Sequence, residues 1–139
     1  MASLNQNFTK YAYDTFTIQF TITTDVGDIS TYKAYWSAGP VPTGIANSNT
    51  TKRIVKTTGA SDFSGEGGIA YQPDNKFLVS ITKDDFGWLT DNLDSDADEI
   101  NATYEHELVL ADSNGENSVV VSRGTFTLNK ALFPSASRV

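Results

Sequence analysis

Residues 15–24 read TFTIQFTITT, and the alternation is strict. Phe16, Ile18, Phe20 and Ile22 fall on one side, and Thr17, Gln19, Thr21 and Thr23 on the other. A period of two sends successive side chains to opposite faces of a pleated strand, and β-branched and aromatic residues fit that surface. At the helical period of 3.6 the same four apolar residues would scatter around the axis. The segment is therefore a half-buried strand, and its apolar face needs a second layer to cover it.

The same pattern recurs along the chain. TYKAYWS (31–37) puts Tyr32, Ala34 and Trp36 on one side, after a turn at Asp25 to Asp28. Thr51 to Thr58 carries Ile54 and Val55 among Lys52, Arg53 and Lys56, which predicts an exposed or edge strand. Gly68 to Gln72 is short. KFLVSIT (76–82) alternates Phe77, Val79 and Ile81. Ala102, Tyr104, His106, Leu108 and Leu110 form one face of a long strand, and Asn114-Gly115 signals a hairpin after it. With Asp112 to Glu116 as the loop, Leu108 faces Val120, His106 faces Ser122 and Tyr104 faces Gly124. A large ring would then lie over a residue without a side chain. Residues 38–50 and 59–68 are loops by composition. Thr82 to Asp85 fits a capping box, and Phe86, Leu89 and Leu93 recur at helical spacing. This predicts one short helix over 83–93, weakened by Gly87. Seven to nine short strands at regular spacing give an all-β fold, an antiparallel immunoglobulin-like β-sandwich.

Its 139 residues suit one domain, expected over 7–129, with 1–6 and 130–139 as terminal arms. There is no cysteine, so disulfides and thiolate chemistry are excluded. No apolar run has signal-peptide or membrane-span length, so a membrane is not an expected partner. The net charge of −7 repels phosphate backbones, so nucleic acid is not expected either.

Candidate chemistry is sparse. Asp94, Asp96, Asp98 and Glu105 occupy positions 1, 3, 5 and 12 of a calcium-loop template, but Glu99 stands where the template needs glycine. A solvated acidic loop is the simpler reading. His106 is the single histidine, with no second ligand in metal spacing and no Gly-x-Ser-x-Gly elbow to serve. Glu105 and Glu107 alternate with the apolar face and point to solvent, and Asp84 and Asp85 suit the first turn of a helix. Residues 59–68 lack the Gly-Lys-Ser/Thr ending of a phosphate loop. No enzyme activity, cofactor or metal is expected. Exposed aromatics are the better candidates for function, because they bury area at low entropy cost. These are Tyr11, Tyr13, Tyr35 and Phe133. Residues 130–139 read either as a frayed tail or as an arm anchored by Phe133.

Phe8, Thr9, Tyr11, Asp14, Thr15 and Phe16 match an aromatic-rich entry pattern, F-T-x-Y-x-G-D-T-F, with Tyr13 in place of its glycine. Trp36 supplies an aromatic anchor. Tyr104, Glu107, Asp112, Gly115, Gly124, Thr125, Phe126 and Thr127 match a closing hairpin. Over residues 7–129 the chain resembles the small β-sandwich domains of tailed-phage virions, among them the N-terminal domain of upper-baseplate proteins. The departure at Tyr13 alters the first turn or exposes a ring there. The resemblance implies a virion component, assembled in the host cytoplasm, that binds another virion protein and has no catalytic role. A lone sandwich without a stalk or receptor-binding head suits a capsid decoration or cement protein, homo-oligomeric in the particle and bound to the major capsid protein. The alternatives are a tail, neck or baseplate adaptor, and a carbohydrate-binding module using Trp36 or Trp88 as its platform.

Overall fold

The computed structural model describes residues 4–11, 14–23, 27–39, 54–59, 62, 67–86 and 102–129. They build two sheets packed face to face. The larger sheet has six strands. These are β1 (Leu4–Asn5), β2 (Phe8–Tyr11), β4 (Lys33–Gly39), β5 (Ile54–Thr57), β8 (Ala102–Ala111) and β9 (Val119–Asn129). Its order is β1-β9-β8-β4-β5, with β2 following β1 along the outer edge of β9. The smaller sheet runs β3-β7-β6, from β3 (Phe16–Thr21), β7 (Lys76–Ile81) and β6 (Ile69–Gln72). All pairings between strands are antiparallel except those of β1 and β2, which run parallel to β9.

The core is what the alternation predicts. Ile18, Phe20 and Ile22 are buried from β3 and the residue just after it. Ala34, Trp36 and Ala38 are buried from β4, and Phe77, Val79 and Ile81 from β7. Tyr104, His106, Leu108 and Leu110 face the same interior from β8. Aromatic pairs bridge the sheets: Phe16 stacks on Phe126 at 6.4 Å, and Phe8 meets Phe20 edge-on at 5.9 Å.

Four expectations change. The β8–β9 hairpin closes through residues 112–118, not 112–116, and its register moves. Leu108 pairs with Ser122, His106 with Gly124 and Tyr104 with Phe126. Two local features cause this. Asp112 Oδ1 accepts the backbone N–H groups of Asn114 and Glu116, its Oδ2 accepts Asn117 Nδ2–H, and Asn117 takes a positive φ of 55°. A bulge at Leu108/Val109 then sets Val121 and Ser122 both against Leu108, and both are buried.

The helix expected over 83–93 is a single 3₁₀ turn at Lys83–Phe86 among the described residues. The capping signature is real, since the Asp85 carboxylate accepts the Thr82 N–H at 2.8 Å. Asp85 also pairs with Lys56 of β5 at 2.9 Å. Leu89 and Leu93 lie outside the described residues. The third change is at the N-terminus, where Leu4 and Asn5, expected to precede the fold, already pair with β9. The fourth is Gly124, whose role is described below.

The edge strand β5 is as expected and is tied to the other sheet by Thr57. Its hydroxyl donates to the Gly59 carbonyl and accepts the Gly67 N–H, both at 2.9 Å, and Thr57 is fully buried. Thr57→Val keeps the shape and removes the hydroxyl, which strands two backbone groups. We expect a loss of about 2 kcal/mol, read as a lower urea midpoint at unchanged m-value.

Candidate functional site

His106 is the one residue whose type invites a catalytic reading, and the structure gives it another job. It is 2% exposed. Trp36 Nε1–H donates to His106 Nδ1 at 3.3 Å, and His106 Nε2 lies 2.7 Å from the Gln6 carbonyl oxygen. An indole N–H can only donate and a carbonyl can only accept, so the ring is neutral with its proton on Nε2. Phe8, Phe20 and Trp36 surround it at ring separations of 5.0, 6.2 and 6.1 Å. Burial pushes the imidazole pKa below its ordinary value, and the Gln6 hydrogen bond only partly offsets this.

The Gln6 carbonyl reaches His106 because Gly124, directly opposite His106 on β9, has no side chain. A Cβ there would overlap the Gln6 carbonyl. Gln6 is fixed further by its N–H to the Arg123 carbonyl at 2.9 Å and by Ser122 Oγ–H to its Oε1 at 2.7 Å. Asn7 Oδ1 accepts the Thr125 N–H at 3.0 Å. This side chain replaces a missing rung of the parallel ladder. The expectation that Gly124 accommodates the Tyr104 ring is thus corrected: it accommodates a backbone carbonyl.

Of the four candidate interface residues, the two that are described, Tyr11 and Tyr35, lie far apart. Tyr11 is at the end of β2 and 50% exposed. Tyr35 is half-buried on the outer face of β4. Tyr11 pairs with Asn129 at one end of β9, whereas Tyr35 pairs with Val109 near the other end of β8. Eight residues of strand separate the two levels, roughly 27 Å at strand rise. Tyr13 and Phe133 lie outside the described residues, as do Trp88 and the aspartates of the calcium-like template. Glu105 and Glu107 lie on the outer face of β8, as the alternation requires, and Glu107 is 3.8 Å from Arg123.

The structure assembles one apolar feature that sequence reasoning missed. Val109 pairs with Tyr35 on one side and Val120 on the other, a cross-strand row on the outer face of the large sheet. Val120 is 36% exposed, and the next row is Ser37, Glu107 and Arg123. The five-residue hairpin loop had turned Val120 inward toward Leu108. Only the longer loop and the bulge bring it beside Val109.

No family model matches this chain. No curated protein matches it either. Among solved structures, a "putative glycoside hydrolase" from Bacteroides vulgatus ATCC 8482 is similar at 10% identity, with a TM-score of 0.44. The likeness covers 88% of this chain, which spans only 16% of that protein. A likeness this distant carries no argument about activity.

Proposed function

We propose that this chain is a structural protein of a tailed-phage virion, a decoration or cement protein that binds the major capsid protein and stabilises the assembled head. On this reading the sandwich is of the immunoglobulin-like type. The resemblance of residues 7–129 to phage virion domains supports the reading. The observation that carries it is the Tyr35–Val109–Val120 row, an apolar strip on the outer face of a sheet. On this reading a partner covers the strip, and the single histidine is committed to internal hydrogen bonds. Binding only to the assembled shell would stabilise that shell by mass action. For a carbohydrate-binding module, Trp36 is fully buried and offers no platform, and Trp88, the other candidate, lies outside the described residues. The tail, neck or baseplate adaptor is the second reading, supported by the same resemblance.

Copy number separates the two. Quantitative mass spectrometry of purified particles of the encoding phage is expected to find this protein at a stoichiometry comparable with the capsid protein. A few tens of copies or fewer would move it to the tail, neck or baseplate, and its absence from particles would overturn both readings. In particles that do contain it, Val120→Lys is expected to lower occupancy at least tenfold, the equivalent of about 1.4 kcal/mol of binding. Unchanged occupancy would remove the strip from the interface.

A further inference from the structure

The N-terminal strand is joined to the sandwich differently from every other described strand. β1 and β2 pair along a single edge of β9, and the kink between them carries the Gln6 carbonyl onto His106 Nε2. Gln6 and Phe8 belong to this segment, whereas Trp36 and Phe20, the other neighbours of the imidazole, belong to the two sheets proper. Lifting β1 and β2 is therefore the least disruptive way to bring water to the ring.

We propose that His106 is a proton-sensitive latch on the N-terminal strand, so that mild acid lifts β1 and β2 from β9 while the rest of the sandwich stays folded.

The geometry states the conflict. A second proton can only go to Nδ1, where the Trp36 indole N–H already points. Two donors would then face each other, and the charge would sit among Phe8, Phe20 and Trp36. The Gln6 carbonyl favours the cation, but it is one acceptor against the loss of water around the whole ring.

Among the described residues, nothing charged nearby offsets this. The inner positions of β3, β4 and β7 are apolar, and those of β9 are Ser122, Gly124, Phe126 and Leu128. From β2 the charged neighbour is Lys10, whose Nζ lies 4.9 Å over the Phe16 ring and whose sign opposes an imidazolium. Glu105 and Glu107 of β8 and Arg123 of β9 occupy the outer face, where Glu107 and Arg123 pair.

The closed strand holds the pKa of His106 below its ordinary value of 6.5, and the lifted form restores it. The lifted form therefore binds the proton more tightly. Lifting is independent of pH above about 6.5, grows as pH falls below it, and levels off below the closed-form pKa. Inside that window one linked proton raises the opening constant by up to about tenfold per pH unit.

Hydrogen exchange of the full chain, resolved by residue and corrected for intrinsic rates, tests this between pH 7.5 and 5. The amides of Gln6 and Thr125 and the Trp36 indole N–H are expected to lose protection by several-fold or more per pH unit below 6.5. Amides of the β3–β7 pair should hold their protection. In the same series the His106 ring resonances should report protonation in step with opening. His106→Gln keeps a donor for the Gln6 carbonyl and cannot titrate in this range, so its exchange should not depend on pH. Equal acceleration in both sheets would mean global unfolding and would overturn the latch. So would pH-independent exchange in the wild-type protein, a result that does not require the variant to fold.

Discussion

Gly124→Ala is expected to unseat the N-terminal strand and to lower stability by about 3 kcal/mol, near the upper end for overpacking. The added methyl would overlap the Gln6 carbonyl, a backbone group held by three neighbours: Arg123 through the Gln6 N–H, Ser122 through the side chain, and His106 through the carbonyl itself. It cannot swing aside as a long side chain would. Relief requires lifting Gln6, which leaves His106 Nε2–H without an acceptor and weakens the parallel pairing of β1 and β2. Urea unfolding would show the lower midpoint, and exchange at Gln6 would show where the protein opened. A midpoint within about 0.5 kcal/mol of wild type would mean that the strand can shift outward cheaply, contrary to the packing described.

Trp36→Ala should cost more, about 4 kcal/mol from lost burial and the cavity left behind. Trp36 is fully buried at the centre of β4, edge-on to Phe126 at 5.9 Å and bonded to His106. A domain of this size has roughly 5–15 kcal/mol in total, so the variant should be marginal at 37 °C. Trp36→Phe separates the two contributions. It keeps most of the ring volume and leaves His106 Nδ1 without a donor, so we expect about 2 kcal/mol. Thermal unfolding monitored by far-UV circular dichroism checks the order of the three proteins. A phenylalanine variant as stable as wild type would show that the 3.3 Å indole bond contributes nothing.

Much of the strand content was legible from residue order. Phe16 to Ile22, Ala34 to Trp36, Phe77 to Ile81 and Tyr104 to Leu110 each declare their inward face by period two, and each faces inward in the fold. The edge position of β5 was also readable, from Lys52, Arg53 and Lys56 in the sequence around it. The hairpin register was not. Asn114-Gly115 correctly marks a turn, but Asp112 organises a loop of seven residues where five were expected. The bulge that re-aims Val120 leaves the consecutive residues Val121 and Ser122 both buried, a break in the alternation that a period of two does not announce. The short helix can be compared with the sequence only at its start. The Thr82–Asp85 cap is a local signal and forms, whereas continuation past Phe86 rests on residues outside the described part of the fold.

The candidate site divides along the same line. That His106 points inward follows from the strand period, and that a tyrosine at position 35 points outward follows from the same rule, because pleating is a property of adjacent residues. What His106 touches does not follow. Its partners are Trp36, 70 residues away, and Gln6, 100 residues away, and they meet through a parallel strand whose register no local pattern encodes. The sequence by itself determined which side chains enter the core. The tertiary structure alone decided that one of them, a histidine, holds the first strand against the last, because that contact exists only once both sheets have closed around it.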